Sequence, residues 1–74
     1  MLRVKIYRAD IRLFEGSATH VVLPGEDGEV SVLAFHAPML CTLAGGAVQV
    51  DDARFAIRGG VARVDRNLVT VVSL

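Results

Sequence analysis

The chain has 74 residues, 53% of them hydrophobic, and its eight Lys and Arg residues balance eight Asp and Glu residues to a formal net charge of zero. A domain of this size buries only about 60% of the surface that its unfolded chain exposes, so we expect an exposed apolar patch that binds a partner. The arginines are scattered, and the aromatic residues are three Phe and one Tyr. This distribution argues against nucleic-acid binding, which normally needs a basic stripe with stacking aromatics.

The single cysteine, Cys41, cannot form an internal disulfide. Small secreted domains usually carry disulfides, so we expect a reducing compartment. No apolar run approaches the roughly 20 residues that span a bilayer, and the first residues alternate where a signal peptide would be continuously apolar. We therefore expect no direct membrane insertion.

Alternation of apolar and polar residues along the chain predicts half-buried β-strands. In each predicted strand the apolar residues fall on one face. They are Leu2, Val4 and Ile6 in the first, Ile11 and Leu13 around an outward Arg12 in the second, Val48 and Val50 in a later strand, and Phe55 and Ile57 in the strand after it. Residues 68–72 are almost continuously apolar and β-branched, which predicts a strand buried on both faces. Residues 38–43 lack alternation, and we expect them to form core, with part of the segment facing a partner.

Short segments rich in Gly, Asp or Asn separate these runs, and each favours a turn. They are residues 15–17, 24–28, 45–46, 51–52, 59–60 and 65–67. Short strands with evenly spaced turns predict a sandwich or barrel. We therefore expect one compact all-β domain over residues 1–74, without helix, linker or repeat.

Three carboxylates, on Glu26, Asp27 and Glu29, lie together at a predicted hairpin tip. The tip is either a solvated turn or a docking site for a basic loop of a partner. Acid–base catalysis requires a partly desolvated carboxyl group, which a hairpin tip does not provide. The segment also offers too few oxygens for calcium.

The remaining reactive side chains do not form a predicted active site. His36 precedes Ala37-Pro38 and is either a turn residue that bonds local backbone or a polar anchor in an interface. His20 lies within a predicted strand and is a typical sheet residue. A hydrolase built on His36 and Cys41 would lack a third, orienting group. Metal sites use three or four ligands, whereas the chain has two His and one Cys. We therefore predict a non-catalytic protein with no metal and no cofactor.

In its motifs the chain resembles the N-terminal domain of the F-type ATP synthase epsilon subunit. The resemblance covers essentially the whole chain and rests on motifs in the family's order and spacing: Phe14-Glu15-Gly16, Pro24-Gly25-Glu26-Asp27-Gly28-Glu29, His36-Ala37-Pro38, and a closing hairpin from Arg58-Gly59-Gly60-Val61 to residues 67–71. It implies a flattened β-sandwich of about ten short strands in two sheets.

The resemblance also implies a function, that of a non-catalytic central-stalk subunit of a rotary ATP synthase. Such a subunit links the gamma subunit to the c-ring and couples ion-driven rotation to ATP synthesis, at the cytoplasmic face of the bacterial inner membrane or its organellar equivalent. The residues expected to contact the polar loops of the c-ring are Glu26, Asp27, Gly28 and Glu29. Those expected to contact gamma are His36, Ala37 and Pro38, to which we add the neighbouring Met39 and Leu40.

The chain departs from the family pattern in two places and in length. Val30-Ser31 stands where the family usually has Phe-Gly or Leu-Gly, and Ala34-Phe35 replaces Pro-Gly, which changes the backbone options around His36 and adds apolar area. Family members continue into a C-terminal helical hairpin that can inhibit ATP hydrolysis. The sequence stops at Leu74, either because the natural chain ends there, in which case we expect coupling without that inhibition, or because it is a piece of a longer chain. The alternative function is a free-standing β-sandwich adaptor that binds a basic loop through its acidic hairpin.

Overall fold

The computed structural model describes residues 1–74, and it consists of nine β-strands joined by turns and short loops. The strands are β1 (Leu2–Arg8), β2 (Ile11–Ala18), β3 (His20–Gly25), β4 (Gly28–Leu33), β5 (Met39–Leu43), β6 (Gly46–Val50), β7 (Ala53–Ile57), β8 (Gly60–Asp65) and β9 (Leu68–Ser73). The prediction of an all-β chain is confirmed. No helix is available to cross a bilayer.

All nine strands belong to one hydrogen-bonded sheet that curls over to form two layers. One layer has the order β2-β1-β9-β8-β5, and the other has the order β4-β3-β6-β7. They are joined between β3 and β5, where Gly25 opposite Leu43 is the single paired position. The predicted sandwich is thus present, with the two layers continuous through this narrow junction.

The core lies between the two layers and is entirely apolar. It is one cluster of 15 buried side chains: Leu2, Val4, Ile6, Ala18, Val21, Leu23, Val32, Leu43, Val48, Val50, Ile57, Ala62, Val64, Val69 and Val71. Burying one aliphatic side chain of this size stabilises a fold by about 1.5–3 kcal/mol. The inward faces predicted for strands β1, β6 and β7 contribute side chains to this cluster, which confirms those predictions.

The first and last long strands pair with one another in parallel. Strand β1 aligns with β9 from Arg3 opposite Leu68 to Arg8 opposite Ser73, and β9 also pairs antiparallel with β8. Although β9 is central in its layer, only one face is buried, and Val72 on the other face is 48% exposed. The prediction of a strand buried on both faces was wrong, because a two-layer domain covers each sheet from one side only.

The second strand departs from its predicted alternation because of a β-bulge. The β1–β2 register shifts between Ile6, opposite Phe14, and Tyr7, opposite Arg12, so Leu13 is the extra residue. A bulge moves the alternation by one position. Ile11, predicted to face inward with Leu13, is consequently exposed, whereas Leu13 still packs against the core.

The turn predicted at residues 15–17 is also wrong, because these residues continue strand β2. Gly16 pairs with Val4 of β1, and an added Cβ at Gly16 would lie 3.0 Å from Cζ of Phe14. The Phe14 ring also contacts Phe55, with 5.1 Å between ring centroids. This glycine therefore makes room for an aromatic side chain inside a strand and does not turn the chain.

Candidate docking surface

The acidic hairpin forms as predicted and presents its carboxylates to solvent. Strands β3 and β4 pair along their full length to Gly25 opposite Gly28, leaving Glu26 and Asp27 as the turn. Gly28 has a φ of +127°, which L side chains rarely adopt. Glu26, Asp27 and Glu29 are all exposed, and none of them takes part in the three ion pairs of the chain. The tip therefore carries three uncompensated negative charges.

Backbone contacts fix this tip to the other layer of the sandwich. The Glu26 N–H donates to the Thr42 carbonyl at 3.0 Å, and the Ala44 N–H donates to the Pro24 carbonyl at 2.8 Å. A Cβ added at Gly25 would lie 2.7 Å from the Gly28 carbonyl oxygen. The hairpin thus holds its carboxylates at a defined position relative to strand β5.

A groove of about 400 Å³ separates the hairpin from strand β5. Residues 25–30 line one side and residues 39–42 line the other. Leu40 is 73% exposed at the rim, whereas Met39 and Cys41 are half-buried and pack against the core. The apolar segment predicted to form core, with part of it facing a partner, alternates along β5, where Leu43 is buried and Leu40 faces outward.

The groove brings part of the two predicted contact sets together. All four residues predicted to meet the c-ring line it, and so do Met39 and Leu40 from the predicted gamma set. His36, Ala37 and Pro38 lie outside it, in the loop that leads from β4 to β5. Only Met39 and Leu40 of the gamma set therefore adjoin the tip across the groove, and the loop lies at the other end of β4.

The loop after β4 begins with a β-turn from Leu33 to His36. The His36 N–H donates to the Leu33 carbonyl at 3.2 Å, and Phe35, the third residue of the turn, has a φ of +66°. Turns with a positive φ at the third residue favour Gly or Asn there. The Phe35 side chain is 89% exposed.

Two further hydrogen bonds organise this loop. The Phe35 N–H donates to Oδ1 of Asn67, in the β8–β9 turn, at 2.6 Å. His36 Nδ1 lies 2.7 Å from the Ala37 carbonyl oxygen, to which it donates. The histidine thus bonds local backbone, as one interpretation of the sequence predicted, and the role of Asn67 was not predicted at all.

The two carboxylates with perturbed pKa values lie elsewhere and have structural partners. Hydrogen bonding from Arg3 lowers the pKa of Glu15, and the nearby Arg12 charge acts in the same direction. The Thr19 hydroxyl and the backbone N–H groups of Thr19 and His20 lower the pKa of Asp51. No three His, Cys, Asp or Glu side chains are grouped in a way that could hold a metal ion.

Comparison with known proteins places this architecture in a family. Residues 1–73 match the family model described as the β-sandwich domain of the ATP synthase delta/epsilon chain. The chain is similar to the ATP synthase epsilon chain of Janthinobacterium sp. (strain Marseille), with 35% identity over 97% of this chain and 56% of the relative. It is likewise similar to ATP synthase epsilon chain 1 of Methylococcus capsulatus, with 39% identity over 97% of this chain and 55% of the relative. The chain spans about half the length of these curated relatives.

Solved structures show the same fold. A chain in the cryo-EM structure of Euglena gracilis mitochondrial ATP synthase (OSCP/F1/c-ring) superposes with a TM-score of 0.89 at 23% identity, covering 97% of this chain and 49% of that chain. A chain of the central stalk/c-ring structure from Tetrahymena thermophila mitochondrial ATP synthase gives a TM-score of 0.77 at 14% identity, covering 99% of this chain and 63% of that chain. The family model and the curated relatives together show that the chain belongs to the ATP synthase delta/epsilon chain β-sandwich domain family.

Proposed function

We propose that residues 1–74 form one domain that acts as a non-catalytic element of the central stalk of a rotary ATP synthase. In this role the domain joins the gamma subunit to the c-ring at the membrane surface, so that ion-driven rotation reaches the catalytic subunits. The observation that carries the proposal is the pairing of an uncompensated acidic tip with an exposed apolar rim across one groove, in a chain of this family. Two neighbouring surfaces of different chemistry suit a protein that bridges two partners.

The acidic tip is proposed to meet the c-ring through Glu26, Asp27, Gly28 and Glu29. Its charges favour basic or polar loops, and its backbone is fixed by the hydrogen bond from Glu26 to Thr42. Exposed ion pairs contribute at most about 1 kcal/mol each, and salt screens them. This surface therefore sets orientation more than affinity.

The loop and the start of β5 are proposed to meet gamma through His36, Ala37, Pro38, Met39 and Leu40. Leu40 offers the largest apolar gain in this set, because it is 73% exposed before association and its full burial would contribute about 1.5–3 kcal/mol. A polar substitution of Met39 is a less specific probe, since this side chain already packs against the core. Apolar contact with gamma should therefore dominate the affinity.

A pull-down from source membranes in mild detergent tests the proposal. The tagged protein is expressed in the source cells, and its partners are identified by mass spectrometry. We expect recovery of the gamma, alpha, beta and c subunits. Their absence, with a different basic partner enriched, would instead favour the adaptor function.

Matched variants assign the two surfaces within the same experiment. Leu40→Ser should reduce recovery of gamma, while Ile11→Ser is the control, because Ile11 is similarly exposed (61%) but lies on the far edge strand β2. Glu29→Lys should leave gamma bound and reduce ATP-driven proton pumping by the membranes. Equal loss of gamma with all three variants would contradict the division between the two surfaces.

A further inference from the structure

Phe35 occupies a backbone conformation that is unfavourable for its residue type. Its φ of +66° lies in the left-handed region, at the turn position that Gly or Asn normally fills. The resembling family usually has Pro-Gly at the two positions that Ala34 and Phe35 hold here. The chain thus carries a bulky side chain where a glycine would satisfy the turn without strain.

The domain itself gains no packing from this side chain. Phe35 is 89% exposed, more than any other large hydrophobic residue of the chain, and it is not among the side chains that contact the core. Residues held in strained backbone conformations cluster at functional sites. Aromatic side chains, phenylalanine among them, are enriched in protein interfaces relative to the rest of the surface.

The position of Phe35 is fixed by the β8–β9 turn. Oδ1 of Asn67 accepts the Phe35 N–H at 2.6 Å, and the Asn67 carbonyl accepts the Arg3 N–H at 2.7 Å. Asn67 therefore ties the loop to the edge of the β1–β9 pair. An anchor that is held in place before association loses less conformational entropy when it binds.

The charge beside Phe35 is opposite to that of the hairpin tip. Arg66 precedes Asn67, is exposed, and takes part in none of the ion pairs, whereas the nearby Arg63 lies 3.7 Å from Asp65. The tip and the Phe35 loop lie at opposite ends of strand β4. This end of the domain is therefore apolar and positively charged, and does not suit the basic partner that the tip favours.

We infer that Phe35 is the anchor of the gamma-facing surface, inserting into an apolar pocket of the gamma subunit that is rimmed by a carboxylate facing Arg66. Asn67 is a positioning residue that holds the Phe35 loop for this contact. The inference rests on the proposed function, because it names the side chain through which the proposed gamma contact is made. It also accounts for a phenylalanine at a glycine-type turn position.

The test measures binding of the purified protein to the complex of alpha, beta and gamma subunits, alongside its unfolding in urea. Phe35→Gly should weaken binding at least tenfold, which corresponds to about 1.4 kcal/mol, while its unfolding midpoint stays equal or rises. Wild-type affinity in Phe35→Gly would overturn the inference and leave the proposed function standing. Failure of the wild-type protein to bind the complex would overturn the proposed function itself, and the inference with it.

Asn67 is tested by rescue and by coupling. Asn67→Gly removes the acceptor oxygen without adding backbone strain, and it should weaken binding. Asn67→Asp keeps an acceptor oxygen at this position, and it should bind as the wild type does. In the Phe35→Gly background, Asn67→Gly should have no further effect, because the two residues act as one unit. Additive losses would overturn the positioning role.

Arg66 is tested by charge reversal against a matched arginine. Arg66→Glu should weaken binding most at low salt, and its deficit relative to the wild type should shrink as salt is added, because salt screens both the original attraction and the new repulsion. The control is Arg58→Glu, at another exposed arginine outside this loop. Equal effects of the two reversals would overturn the assignment of a carboxylate opposite Arg66.

Discussion

Replacing Gly25 by alanine tests whether close backbone packing sets the position of the acidic hairpin. The added methyl group would lie 2.7 Å from the Gly28 carbonyl oxygen, with Sγ of Cys41 and Cγ2 of Val30 each at 3.4 Å. The contact at 2.7 Å is with backbone of the paired strand, which cannot rotate away as a side chain can. Gly25 also forms the single pairing between the two layers, opposite Leu43. The substitution should therefore disturb the hairpin and the junction together.

The expected effect is a clear loss of stability. Overpacking of this kind costs about 1–3 kcal/mol. In a domain of this size about 1 kcal/mol shifts Tm by about 4–8 °C, so Gly25→Ala should lower Tm by roughly 4–24 °C. Thermal unfolding followed by circular dichroism measures the shift, and urea unfolding gives the free energy of unfolding independently.

Gly45→Ala provides the matched control. At Gly45 the nearest atom to an added Cβ is the Ile57 carbonyl oxygen at 3.7 Å, an ordinary contact, and φ lies outside the left-handed region. A glycine-to-alanine change at a compatible position stabilises by about 0.4–1 kcal/mol through the unfolded chain. If Gly25→Ala were as stable as Gly45→Ala, the reasoning that backbone close packing fixes the hairpin would be refuted.

Three further predictions concern stability and coupling. Phe35→Gly should raise Tm by a few degrees, because relief of about 1–2 kcal/mol of left-handed strain outweighs the about 0.5–1 kcal/mol of added glycine entropy; a lower Tm would mean that the ring packs within the domain. The free energy of unfolding should fall as the pH drops below about 4, since Glu15 and Asp51 have folded-state pKa values below the ordinary values of about 4. Asp51→Asn should lower stability at pH 7 and flatten its acid dependence in urea titrations at each pH, and an unchanged profile would contradict this assignment. Finally, Glu29→Lys should reduce ATP-driven proton pumping more at low salt than at high salt, whereas Leu40→Ser should show no such salt dependence in pumping assays.

Local patterns in the sequence predicted the parts of the fold that depend on neighbouring residues. Alternation placed Leu2, Val4 and Ile6 in the core, and Pro24 to Glu29 marked the hairpin with its exposed carboxylates. These features follow from the two-residue period of a strand and from glycine-containing turns. Both are set within a few residues.

The features that could not be predicted depend on distant residues. The bulge that turns Ile11 outward exists only relative to β1. The hydrogen bonds of Phe35 with Asn67 and of Thr19 with Asp51 each join residues 32 positions apart. An asparagine or aspartate in a turn segment usually bonds its own backbone, so the sequence offered no signal that these two would bond another loop.

The parallel pairing of β1 with β9 has a mechanical consequence for a domain proposed to lie in a rotating stalk. Because the strands run in the same direction, residue 2 and residue 73 lie at opposite ends of the pair. A force that pulled these ends apart along the strands would load all six paired positions at once, in shear. Peeling the positions apart one by one would require a pull across the strands. The domain should therefore resist tension along its first and last strands better than tension applied at the β7 edge.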